Sequence, residues 1–279
     1  MKAIGFPILD ADDYVEPEMF GEMVRAAEAN VSDIIVCSVD QVSPAGEHLG
    51  TKFRFREPGN FEDSVFERFC QRQFGTGSLW NKLYSRDLLL RHGAQQFRWR
   101  QDINEDTLVN IGCFLDAQAV TTLTSTYYHY VSTPESASQA NDPAHNFTAM
   151  LRAYALAVDN YADRGERALK GIDTLYRSQF AYPSYYIADP SALYGYNSVF
   201  SEVLDVLSAH HPAGAAALIS YLGRPEDRRV TSLKKQWRIW RQESVRLLSA
   251  SRAALLRSQA ELFRDATRSM ARLRSGKHS

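Results

Sequence analysis

The chain has 279 residues, 44% of them hydrophobic and 11% aromatic, enough to bury a core for one large domain or two small ones. No run reaches the ~18 apolar residues of a membrane span, and the N-terminus lacks a signal peptide's basic start and apolar centre, so a cytoplasmic protein is expected. The net charge of −1 hides an asymmetry: residues 228–279 carry 14 Lys and Arg against Glu243, Glu261 and Asp265, while the stretch upstream holds 18 basic and 30 acidic residues. An anionic surface is therefore a partner for the tail alone, and a nucleic acid is not expected. Cys37, Cys70 and Cys113 lie far apart, without a Cys or His at ligand spacing, and read as reduced packing thiols rather than a zinc site or a disulfide.

Ile4 to Leu9, with Gly5 and Pro7 interposed, reads as a short strand, and Asp10, Asp12 and Asp13 follow at once. Residues two apart in extended backbone project to the same side, so Asp10 and Asp12 can present oxygens to one cation, or to a ribose and a cation. The plainer alternative is that Asp12 or Asp13 caps the helix that Pro17 and Glu18 would open. A calcium loop fails on spacing, because Tyr14 and Val15 stand where further ligands and Gly belong. A phosphatase with an aspartyl nucleophile fits weakly, since Tyr14 replaces the usual Thr or Val. Met19, Phe20, Met23, Val24 and Ala27 then fall at helical spacing up to Asn30, and Asp33 to Val39 is an apolar, β-branched strand. Gln41 to Asn60 reads as a loop or a hairpin around Lys52-Phe53-Arg54-Phe55, and Phe61 to Phe69 as a short helix.

Gly75 and Gly77 permit a close backbone turn, Lys82 offers a cation suited to a diphosphate, and Trp80 offers a flat apolar face. The alternative is a tight turn ahead of a helix over Ser85 to His92, with Trp80 in the core. Glu105 and Asp106 open a helix carrying Leu108, Ile111, Phe114 and Leu115, where acidic residues also suit the helix dipole. Ala119 to Tyr130 is rich in β-branched and aromatic residues and reads as a strand. His129 near its end is more often a packing residue than a ligand. From Pro143 the pattern is helical, over Phe147 to Tyr161, near Ile172 to Phe180, and over Ser198 to His210. In the tail, Trp237 and Trp240 stand beside Lys234, Lys235, Arg238 and Arg241, an interfacial pattern whose equal alternative is a solvated or packed helix.

Taken in this order, the motifs resemble the latter part of a bacterial family 2 glycosyltransferase. Leu9-Asp10-Ala11-Asp12-Asp13-Tyr14-Val15-Glu16-Pro17 resembles the metal and nucleotide-sugar motif. Trp80-Asn81-Lys82-Leu83-Tyr84, Glu105-Asp106, and Tyr127-Tyr128-His129-Tyr130 with Ser136 and Ser138 resemble the blocks that follow. The resemblance covers about residues 4 to 140 and implies an α/β fold, a partial GT-A type (Rossmann-like) mixed sheet with helices over 1–140. A helical region over 141–226 and a basic amphipathic tail over 227–279 would come after it. It implies inverting transfer from a nucleotide-sugar donor to a glycan or lipid-linked acceptor in capsule, lipopolysaccharide or exopolysaccharide synthesis. Mg²⁺ or Mn²⁺ would be held by Asp12 and Asp10, with His129 a further candidate ligand, and Asp106 would be the general base. Asp10, Asp13, Trp80, Asn81, Lys82, Tyr84 and Glu105 would surround donor and acceptor, Trp80 and Tyr84 stacking on the acceptor sugar.

Such proteins place a strand, helix and strand unit for the nucleotide base well ahead of the Asp-x-Asp motif. Here the motif begins at Asp10, so a fragment, a misassigned start or one half of a split enzyme is expected, with slow turnover on its own. The tail, over 228–274, would bring the protein to the inner face of the plasma membrane. The rival reading is a noncatalytic remnant acting through that basic helix as a membrane-surface or protein-interaction module.

Overall fold

The computed structural model describes residues 5–101, 103–133, 143–180 and 197–223. The chain divides into two compact units, Met1–Tyr186 and Ile187–Ser279. The first is built on a seven-stranded mixed sheet. Its centre is a parallel pair, β3 (Ile34–Val42) and β7 (Val120–Val131), in register from Ile34 opposite Val120. Ile34, Ile35, Val36 and Cys37 are all buried, as expected for a strand covered on both faces. Each central strand has two short partners on its outer edge. The antiparallel β6 (Lys82–Tyr84) pairs with the first half of β3, and β4 (His48–Phe53) with its second half. Likewise β5 (Gly59–Phe61) pairs with the start of β7 and β2 (Tyr14–Val15) with its end.

Strand β1 is short, Phe6–Pro7, and lies at the sheet's edge against β6, a place that tolerates a proline without an N–H to donate. The helix expected from Phe61 starts later, as α2 (Val65–Cys70), because Gly59–Phe61 joins β7 as a strand. Helix α1 (Met19–Asn30) packs Met19 and Met23 onto Ile35, Cys37, Val39, Leu83, Trp80 and Tyr128. Helices α3 (Arg86–His92) and α4 (Glu105–Asp116) follow the sequence expectation. Phe114 of α4 stacks on Phe69 at 4.3 Å and Phe74 at 5.6 Å.

The first unit runs on past residue 140. In α5 (Pro143–Tyr161), the Tyr161 hydroxyl donates to the Leu108 carbonyl at 3.1 Å, and in α6 (Glu166–Phe180), Gly171 lies so close to Phe66 that a Cβ would come within 2.3 Å of its ring. In the second unit α7 (Asn197–His210) leads through His211 into α8 (Pro212–Gly223), with Val203, Leu207, Ala215 and Leu218 buried. Helix α8 escapes a reading by periodicity because its apolar residues run together without a polar stripe. All three cysteines are free and buried, and burial pushes the Cys37 and Cys113 thiols up to about 12 and raises Cys70 too. No helix among the described residues is long and apolar enough to cross a membrane. Ser136, Ser138 and the basic stretch 228–274 lie outside the described residues.

Candidate active site

The acidic loop between β1 and β2 folds on itself, the Asp13 amide donating to the Asp10 carbonyl at 3.3 Å. It is tied to the end of β7 through Asp13, whose two carboxylate oxygens accept from the Val131 amide at 2.8 Å and the Tyr128 hydroxyl at 2.6 Å. The Asp10 amide donates to that same hydroxyl at 3.4 Å. One carboxylate oxygen from each of Asp10, Asp12 and Asp13 lies within 4.8 Å of the others. Burial pushes the Asp10 carboxyl up to about 6, the charges of Asp106, Asp13 and Asp12 act the same way, and Lys52 opposes them. Asp13 is also raised, by burial first, against the hydrogen bonds from Tyr128 and Val131.

Asp106 stands in the first turn of α4, close enough for its charge to act on Asp10. Its Oδ2 accepts from the Leu79 amide at 3.2 Å, and burial raises its carboxyl above the usual range. Glu105 beside it is exposed.

The Trp80 to Tyr84 block turns inward, and this corrects the role expected of it. Lys82 is fully buried, and its ammonium donates to the carbonyls of Thr76 at 3.1 Å and Ser78 at 2.5 Å and to Asn81 Oδ1 at 2.8 Å. Three donors meet three internal acceptors, which leaves none for a phosphate. Asn81 in turn donates to the Cys37 carbonyl at 3.0 Å, and the buried Tyr84 hydroxyl to Asn110 at 2.6 Å. Trp80 is 5% exposed and stacks on Tyr128 at 4.3 Å, so it offers no open face to a sugar. The glycine turn beside this block serves the same packing. Gly75 takes a positive φ of 86°, and a Cβ on Gly77 would meet Thr107 Oγ1 at 2.1 Å. His129 stacks on Tyr14 at 4.7 Å and pairs with Glu16 at 2.9 Å, outside the three-carboxylate group.

Two side chains absent from the expected site bear on it, Tyr128 from the core and the half-buried Lys52. Tyr128 holds the acidic loop in place. Lys52, on β4, sets its Nζ over Tyr130 at 2.9 Å from the ring centroid. Nothing in the local pattern of residues 48–53 marks that lysine.

No family model matches the chain. Over 127 residues, 44% of this chain and 36% of the other, it is 25% identical to the putative glycosyltransferase EpsH of Bacillus subtilis. Over 129 residues, 43% of this chain and 35% of the other, it is 28% identical to the cholesterol galactosyltransferase of Borreliella burgdorferi. These matches span about a third of the curated relatives' length. Among solved structures, residues 1–349 of TarS from S. aureus, in complex with UDP, align over 72% of this chain and 55% of that one, with 16% identity and a TM-score of 0.51. The fold is of the GT-A type. This GT-A sheet puts the acidic loop, through Asp13 and Val131, at the carboxyl end of the parallel β3/β7 pair, where open α/β sheets bind their ligands. In sequence and in fold the chain is glycosyltransferase-like.

Proposed function

We propose that the chain carries the catalytic region of an inverting, family 2 glycosyltransferase that moves a sugar from a nucleotide-sugar onto a hydroxyl of a glycan or lipid-linked acceptor in cell-envelope polysaccharide synthesis. The observation that supports this is the gathering of Asp10, Asp12 and Asp13 within 4.8 Å, under the influence of Asp106, at the ligand-binding end of a GT-A sheet. An anionic donor set made of oxygen suits a hard divalent cation, Mg²⁺ or Mn²⁺. Each oxygen of Asp13 already accepts a hydrogen bond from β7, so Asp12 and Asp10 are the freer ligands for the ion. When bound, such an ion supplies positive charge to a leaving nucleoside diphosphate. Asp106 takes the proton of the acceptor hydroxyl as its oxygen bonds to the anomeric carbon and the bond to the diphosphate breaks. Burial makes this carboxylate a stronger base, and the Leu79 amide fixes its rotation by holding one oxygen.

The test is calorimetric binding of a panel of nucleoside diphosphates, UDP among them, with and without Mn²⁺, followed by turnover of the matching nucleotide-sugar. Binding of at least one should require the ion and vanish in Asp12→Ala. Asp106→Asn should bind as before while losing about 10²–10⁴-fold in turnover. An Asp106→Asn variant of full activity would remove Asp106 from the mechanism, and binding that ignores the ion, with no turnover, would overturn the assignment and leave the noncatalytic reading.

A further inference from the structure

Lys52 lies on β4 between Thr51, opposite Asp40, and Phe53, opposite Val39. Side chains alternate along a strand, and Lys52 turns towards the place where Trp80 stacks on Tyr128 and, at 5.9 Å, on Tyr130. Its Nζ stands 2.9 Å from the Tyr130 centroid and 5.3 Å from that of Trp80. Because the same buried Tyr128 holds Asp13 through its hydroxyl, the packed aromatic rings join the cation to the acidic loop. Asp13 and Asp10 act on Lys52 through their charges, yet among the described residues its ammonium makes neither a hydrogen bond nor an ion pair.

Aromatic faces return part of the hydration that a half-buried cation gives up, but they leave its three N–H donors unspent. Burial holds the ammonium down to about 8, so this environment does not favour its charge. Burial holds Lys82 lower still, at about 7, and the difference between the two lysines is that Lys82 has all three donors matched inside the protein. A group that meets both Lys52 and a divalent cation on Asp10 and Asp12 has to offer at least two anionic oxygens set apart from each other. The leaving diphosphate of a nucleotide-sugar is such a group.

We infer that Lys52 binds the donor's diphosphate, together with the divalent cation on Asp10 and Asp12, and so holds the leaving group in place. This assignment rests on the glycosyl-transfer reading. Inorganic pyrophosphate tests it without a base or a sugar, as Mn²⁺-pyrophosphate binding by calorimetry, with Mn²⁺ alone followed by electron paramagnetic resonance. Lys52→Met should weaken pyrophosphate binding about tenfold or more, while Mn²⁺ alone binds as tightly as before or more so, since a positive charge has left its neighbourhood. Lys52→Arg should recover much of the loss. An unchanged pyrophosphate affinity in Lys52→Met overturns the inference alone. So does an equal loss for pyrophosphate and for Mn²⁺, which would make Lys52 a support of the acidic loop. Glycerol phosphate, tested in parallel, stands for a phosphate carried by the acceptor, and a Lys52→Met loss confined to it would move the lysine to the acceptor side. If the unaltered protein binds no Mn²⁺-pyrophosphate, the glycosyl-transfer reading falls, and this inference with it.

Discussion

At Asp10, burial and the charges of three neighbouring carboxylates act in one direction, holding the carboxyl at about 6 against an ordinary 3.8. A carboxyl that binds its proton more tightly in the folded chain than in the unfolded one stabilises the fold fully below about pH 4, and that contribution is lost as pH rises through about 6. Asp10→Asn should therefore raise Tm at pH 7, with the gain fading towards pH 4, and Mn²⁺ should raise the Tm of the unaltered protein more than that of the variant. Identical melting curves for the two at pH 7 would show that the charge carries no such cost. The aspartates stand out in sequence as three carboxylates in four positions after an apolar run, and the cap that competed for them is taken by Glu18 at the start of α1. Lys52 does not stand out, since its partners come from β7 and from the approach to β6. The Trp80 to Tyr84 block shows the reverse case. Its residue types suit donor binding, but which way Lys82 points depends on carbonyls of the glycine turn, whose folding against α4 no local pattern states.

The contact between that turn and α4 sets Asp106. Asn110 donates to the Gly77 carbonyl at 2.7 Å and the Leu79 amide to Asp106, so turn and helix move as a pair. Gly77→Ala puts a methyl where Thr107 Oγ1 stands 2.1 Å away and should cost about 1–3 kcal/mol of stability. Adding Thr107→Ala removes the nearest atom, at the expense of its bond to Asn104, and should recover part of the loss in a thermal denaturation cycle. Strictly additive losses would mean that the clash is relieved elsewhere. Among the elements, β3 and β7 declare themselves by β-branched runs, and α1, α4 and α7 by helical spacing. Among the described residues, the two- and three-residue strands β2 and β5 pair with β7 alone, and that pairing is a long-range fact.

For the whole chain, charge is the clearest statement the sequence makes. Of 32 basic residues, 14 fall after residue 227, on a stretch whose tryptophans and cations suit an anionic bilayer surface. The 279-residue chain should sediment with anionic vesicles and not with neutral ones, less so as salt rises. Changing Lys234, Lys235, Arg238 and Arg241 to Gln should weaken the binding, and equal sedimentation with both vesicle kinds, or with neither, would count against membrane contact. The buried thiols have a practical consequence. With Cys37, Cys70 and Cys113 shut inside the first unit and held as unreactive thiols, the native protein presents no sulfur to a maleimide dye until it unfolds. A single cysteine placed at the exposed Leu49, on the same strand as Lys52, would then carry a fluorophore alone and report each arrival of a ligand beside that lysine as a change in emission.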